Sequence, residues 1–106
     1  MEKLSYEQLI EGINNGEIEE VHFSVTNYGH YRSCYLRRVN AYSPTINKYY
    51  FSHIELILTE DRSEGSIYAG PFKDKYQVFN IKGKGKFTLK QIYKYVEILS
   101  IKYAEK

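Results

Sequence analysis

The run "KYYFSHIELILTE", residues 48–60, constrains the fold of this chain more than any other stretch. Ile54, Leu56 and Leu58 occupy every second position, the spacing at which side chains leave one face of an extended strand. Phe51 and Ile57 add apolar surface to the opposite face, which suits a strand inside a sheet rather than at its rim. Such a strand needs neighbours on both sides, and the flanking sequence supplies them. Residues 18–26 alternate Val21, Phe23 and Val25 with Glu20, His22, Ser24 and Thr26. "NYGH", 27–30, reads as a turn, so residues 31–39 are expected to return antiparallel as a hairpin partner. "NAYSPTIN", 40–47, reads as a loop stopped by Pro44. Beyond the charged turn "EDRSEG", short strands are expected at "SIYAG" and at residues 76–81, joined by "PFKDK".

Helical signals stand at the two ends. Ser5 with Gln8, and Thr88 with Gln91, have capping-box spacing, in which each side chain satisfies the other residue's backbone N–H. The first box opens a helix that places Leu9, Ile10 and Ile13 on one face and stops at "NNG", 14–16. The second opens a C-terminal helix from Leu89, because Leu89, Ile92, Val96, Leu99 and Tyr103 recur at three- and four-residue steps. The expected architecture is α+β: an N-terminal helix, a four- to five-stranded antiparallel meander sheet, and a C-terminal helix. Both helices are expected to pack on one sheet face, leaving the other for function. The 106 residues carry no internal repeat and suit a single domain, 1–106.

Composition narrows the setting. Lys, Asn, Ile, Tyr and Phe account for 45 of the 106 residues. AT-rich codons encode all five, so a low-GC genome, cellular, viral or plasmid, explains much of the tyrosine count before any function does. The single Cys34 excludes an intrachain disulfide and favours a reducing, cytoplasmic setting. No apolar run approaches the roughly 20 residues that span a bilayer, so no membrane partner is expected. The opening "MEKLSYEQL" is acidic and amphipathic, unlike a signal peptide.

Charge is sorted along the chain although its net value is only +2. Residues 1–20 hold six acids and one base, residues 31–50 four bases and no acid, and residues 73–106 nine bases and three acids. Folding can assemble a basic face from such blocks. "KGKGKFT", 82–88, runs from a strand into a helix start, a setting in which backbone N–H groups collect anions. The Walker spacing fails here, the dinucleotide fingerprint lacks its third Gly, and the RNA-recognition pattern has Lys84 and Lys86 where aromatics belong. The plain reading is a β-to-α turn in which Gly supplies unusual dihedrals. "YGHYRSCYLRRV", 28–39, interleaves rings with Arg, as surfaces for single-stranded nucleic acid do. Strand alternation puts Tyr31, Tyr35 and Arg37 on one face, and Arg32 and Arg38 on the other with Cys34 and Leu36.

His22, His30, His53 and the single Cys have no metal-ligand spacing, and no metal or cofactor is expected. His53 and Glu55 share a strand face that His22 can join, the least demanding arrangement for acid–base chemistry. The leading expectation is a non-enzymatic binding module. Nucleic acid is its first partner, with Arg32, Arg37, Arg38, Lys82, Lys84 and Lys86 on phosphates and Tyr31, Tyr35 and Tyr42 stacking on bases. The alternative is a protein–protein module, such as a viral or plasmid-borne inhibitor of a host protein, since Tyr and Arg are favoured interface anchors. A homodimer joining the acidic N-terminal segment to the basic end is a variant of it. A small hydrolase or nuclease using His22, His53 and Glu55 is the third reading.

Overall fold

The computed structural model describes residues 3–26, 31–60 and 65–105. Helix α1 spans Tyr6–Asn14 and starts at the expected box: the Ser5 hydroxyl accepts from the Gln8 N–H at 3.1 Å, and Gln8 accepts from the Ser5 N–H at 2.9 Å. Strands β1 (Ile18–Val25), β2 (Tyr31–Ser43), β3 (Lys48–Thr59) and β4 (Ser66–Pro71) follow as an antiparallel meander. A further strand, β7 (Val96–Tyr103), pairs antiparallel with β1, giving the order β4-β3-β2-β1-β7. Strands β5 (Phe79–Ile81) and β6 (Gly85–Phe87) form a separate two-stranded hairpin. The fold is mixed α+β and mostly sheet.

One face of the five-stranded sheet is apolar. The register sets Val21 opposite Leu36 and Phe23 opposite Cys34, and sets Leu36 opposite Leu56, all buried. Leu9 and Ile13 of α1 join this cluster, as do Phe79 and Ile81 of β5. Close packing of α1 on the start of β1 uses Gly12, where a Cβ would fall 2.6 Å from the Ile18 side chain.

The C-terminal helix expected from Leu89 is a correction. Thr88 and Gln91 form their capping box, but helix α2 covers only Leu89–Ile92 and passes through a 3-10 turn at Tyr93–Tyr95 into β7. Tyr93, Tyr95, Val96, Ile98 and Ile101 are β-formers, and β1 offers an open edge to pair with. A bulge explains the misleading period. Phe23 faces Ile98 and His22 faces Ser100, so Leu99 is the extra residue. Ile98 and Ile101 thereby meet the same sheet face three residues apart, a spacing that imitates a helix. Leu99 and Tyr103, which a helical stripe would have buried, are 45% and 58% exposed.

Two loops also differ from expectation. Strand β2 runs through Asn40–Ser43, and only residues 44–47 turn, with Asn47 left-handed at φ 52. The expected strand at 76–81 shortens to Phe79–Ile81. "KGKGK" is the tip of a β-hairpin rather than a β-to-α turn: Ile81 faces Gly85, and the Lys84 N–H donates to the Ile81 carbonyl at 2.9 Å. Gly83 follows Lys82 with φ 80, the positive value required at the third position of a type II turn. The expected turn at 27–30, and residues 61–64 of the one expected at 60–65, lie outside the described residues.

The β7 assignment is directly measurable. Carbon-13 secondary shifts across Val96–Tyr103 are expected to be those of extended chain, with cross-strand contacts between Val21 and Ile101. Helical shifts over that segment would overturn the strand.

Candidate functional site

Opposite the core lies a sheet face in which His22, Tyr35 and Ile57 stand in one row and Glu20, Arg37 and Glu55 in the next. His22 stacks on Tyr35 with centroids 4.5 Å apart and planes 7° from parallel, and its Nε2 lies 2.7 Å from the Ser33 hydroxyl. The Arg37 guanidinium donates to Glu55 from Nε and Nη2, each at 2.7 Å. Lys102 approaches Glu19 at 3.4 Å. Acid and base alternate across this face, so it is polar with little net charge.

The residues suggested for acid–base chemistry do not converge. His22 sits opposite Tyr35 on β1, whereas His53 sits opposite Val39 on β3. Strand spacing and rise put the two rings roughly 17 Å apart. Glu55 is held by Arg37, and His53 Nδ1 lies 3.0 Å from the Ser52 hydroxyl. His53 lines a shallow pocket with Lys73 and Asp74, but the Asp74 carboxylate already accepts from the Tyr6 hydroxyl. Among the described residues no group of three or more His, Cys, Asp and Glu is placed to hold a metal ion.

The residues suggested for nucleic acid divide into three groups. Arg38 and Tyr31 are part of the framework. Arg38 reaches back to α1, whose last turn carries no base, and its Nη1 donates to the carbonyls of Ile13 and of Asn14, the latter at 3.1 Å. The Ile13 carbonyl otherwise accepts only a long 3.3 Å bond from the Gly16 N–H, and both carbonyls sit at the negative end of the helix dipole, so a cation is favoured there. The Arg38 guanidinium also covers the Phe51 ring at 3.9 Å. Tyr31 corrects the expected face-sharing with Tyr35 and Arg37. Phe23 faces Cys34 while Val25 faces Tyr31, and this bulge turns Tyr31 into the core. There its hydroxyl donates to the Asn80 carbonyl at 2.8 Å and its ring meets Phe79 edge-on.

The second group, Arg37 and Tyr35, belongs to the paired sheet face just described. The third remains outward. Lys82, Lys84 and Lys86 are exposed on the β5–β6 hairpin, and the Tyr31–Asn80 bond places that hairpin at the start of β2, where Arg32 is also exposed. Tyr42 is exposed at the far end of the same strand. Eleven residues of extended chain separate Tyr31 from Tyr42, roughly 37 Å at 3.4 Å per residue. That span is most of the molecule's 49 Å length.

At the Tyr42 end the structure holds a surface that sequence reading placed in a loop. The pairing of β2 with β1 ends at Arg37, and that of β3 with β4 ends at Glu55. Beyond these points β2 and β3 pair only with each other, from Val39↔His53 to Ser43↔Lys48, as a two-stranded arm. Tyr42 and Tyr49 pack across it at 5.2 Å, and the Tyr42 hydroxyl bonds Asn47. Tyr42, Ile46, Tyr49 and Tyr50 are all exposed, Tyr49 by 74%. The signal that could have revealed the arm was the alternation of "NAYS" continuing that of "YLRRV".

Among the described residues no helix is long and apolar enough to cross a membrane. Compared with known protein families, curated proteins and solved structures, the chain matches none.

Arg38 and the hairpin lysines differ in an observable way. Arg38→Ala is expected to lower unfolding free energy in urea by about 1.5–3 kcal/mol, the range for hydrogen bonds to charged groups. A Lys82→Ala/Lys86→Ala variant should stay within about 0.5 kcal/mol of the parent. Burial also pushes the Cys34 thiol up to about 11 from its ordinary 9.0. The folded state thus prefers the neutral thiol: this contribution is full below pH 9 and is lost as pH rises from 9 towards 11. A disulfide reagent at neutral pH is expected to label Cys34 only after denaturation.

Proposed function

We propose that the protein is a non-enzymatic binding module that docks on a protein partner through the tip of the β2–β3 arm. One observation carries this reading: Tyr42, Ile46 and Tyr49 are exposed at the tip of a ribbon that leaves the sheet, with Tyr42 and Tyr49 packed together on one face and Tyr50, paired with Ala41, exposed on the other. Contiguous exposed apolar surface marks interaction sites, and tyrosine gives large contact area at low entropic cost. From residue 39 to residue 52 the only charged side chain is Lys48, which suits a largely neutral partner surface. The reading takes residues 1–106 as one domain, with both helices covering the core face of the sheet so that the arm and the opposite face stay open. It also takes the protein to act inside the cell, where the lone Cys34 stays reduced.

Nucleic acid held along one continuous Tyr/Arg/Lys surface fits less well. The rings of the arm and the lysines of the hairpin are nearly a molecule's length apart, and the face between them has its charges paired. Hydrolysis by His22, His53 and Glu55 fits less well again, because His22 stands two strands away from His53 and Glu55 and all three are already engaged.

The test compares the parent with a Tyr42→Ser/Tyr49→Ser/Tyr50→Ser variant as immobilised baits in nuclease-treated lysate of the source cells. The parent is expected to retain a specific protein through high salt, and the variant to lose it at least about tenfold, as hot-spot aromatics dictate. Equal retention by both baits, or recovery of nucleic acid in place of protein when nuclease is omitted, would overturn the assignment. The arm lies outside the core, so an unchanged urea midpoint shows that the variant is folded.

A further inference from the structure

The five-stranded sheet has two outer edges, and they differ. Strand β4 has six residues and ends in Gly70 and Pro71, and Pro has no N–H to offer a further strand. Strand β7 has eight residues, Val96–Tyr103, without Gly or Pro. Among the described residues no strand pairs with its outer edge, so alternate backbone N–H and C=O groups face outward there. Its start is already in use, because the Val96 carbonyl accepts from the Lys3 ammonium at 2.6 Å. The stretch from Glu97 to Lys102 is what remains.

That stretch is self-complementary. Two copies of a strand pair antiparallel across a two-fold axis only where the residues that meet leave the same sheet face. Glu97 and Lys102 are an odd number of residues apart, so in a regular strand they would leave opposite faces. The bulge at Leu99 corrects the phase. Glu97 lies opposite Ser24 and Lys102 opposite Glu20, which puts both on the polar face with His22. Ile98 lies opposite Phe23 and Ile101 opposite Val21, which puts both on the core face. An axis through Leu99 and Ser100 therefore sets Glu97 against Lys102 of the second copy, and Ile98 against Ile101, each twice.

A bulge and a lysine ordinarily keep an edge from pairing. Here the bulge makes the register consistent, and the lysine has a carboxylate to meet. Glu97 is exposed and makes no ion pair among the described residues. The Lys102 side chain is 70% exposed and lies 3.4 Å from Glu19; its ammonium has three donors, enough for both carboxylates. The match holds for a copy of the same strand, and that selects the partner.

We propose that the chain forms a two-fold homodimer through β7, joining two five-stranded sheets edge to edge. Backbone bonds between the edges supply affinity, and the cross-strand pairs fix the register. A contact one strand wide is smaller than the roughly 1,200 Å² of a standard interface, so a dissociation constant on the order of 0.1 mM is expected.

The experiment is sedimentation equilibrium of the full chain from about 10 µM to about 1 mM, which brackets that constant. The 12.6 kDa chain is expected to approach twice its mass at the upper end. Glu97→Lys and Lys102→Glu each set like charges opposite one another at both ends of the contact, and each should weaken self-association at least about tenfold. Mixed in equal amounts, the two variants restore every opposite-charge pair, and the mixture should associate as the parent does. Cross-copy contacts between Ile98 and Ile101 are expected in a mixed-isotope sample. Both substitutions are at exposed positions, and unchanged urea midpoints show that the variants are folded. A monomer throughout the range, association indifferent to the charge variants, or a mixture that stays monomeric would overturn the dimer. The Tyr42→Ser/Tyr49→Ser/Tyr50→Ser variant should dimerise as the parent does. Loss of association in that variant alone would assign the contact to the arm and overturn β7 pairing, which keeps this result separate from the protein-docking reading.

Discussion

The structure depends on one apolar layer in which β2 is the middle member. Leu36 lies between Val21 on β1 and Leu56 on β3, with Cys34 beside Phe23, and these side chains are taken from water together. Burial of each large side chain contributes about 1.5–3 kcal/mol, so the layer is the main favourable contribution to folding. Everything else answers to keeping it covered. Helix α1 brings Leu9 and Ile13 over it, and β5 adds Phe79 and Ile81 from the separate hairpin. Strand β7 extends the sheet and closes the outer edge of β1.

That requirement assigns roles to residues that look functional in the sequence. Arg38 shares the core face of β2 with Leu36, so its charge meets either apolar packing or a polar group supplied from above. The carbonyls of Ile13 and Asn14 at the end of α1 are that group, and the Phe51 ring lies against the guanidinium's flat surface. A cation that reads as a phosphate contact is thereby a helix cap. Tyr31 follows the same logic, buried with its hydroxyl on a backbone carbonyl because an aromatic ring at this end of the layer needs a partner for its O–H. The exposed rings and lysines that the layer cannot reach lie on the arm beyond the sheet and on the hairpin at the other end.

Much of the framework was legible. Both capping boxes form as the Ser5–Gln8 and Thr88–Gln91 spacings imply, and "KYYFSHIELILTE" is an interior strand. What misled was the bulge, because alternation assumes that each residue has one partner. An extra residue at Leu99 turned a strand period into a helical one. Another, between the pairs Phe23↔Cys34 and Val25↔Tyr31, moved Tyr31 to the other face. A third, at Ser52, set Phe51 beneath Arg38. Nothing local distinguishes a residue that will bulge, since the extra residue is defined by the neighbouring strand and not by its own side chain.

The sequence alone determined where both helices begin and that residues 18–25, 31–39 and 48–59 are extended, because alternation and capping are properties of neighbouring residues. It also determined that the surface would be rich in tyrosine and lysine. Only the tertiary structure decided that the rings and the lysines stand at opposite ends. Their separation is set by the length of β2, whose extent depends on pairing with β3 beyond the reach of β1 and β4. Pairing is a long-range choice among strand edges, and it is made by the layer of side chains that those edges bring together.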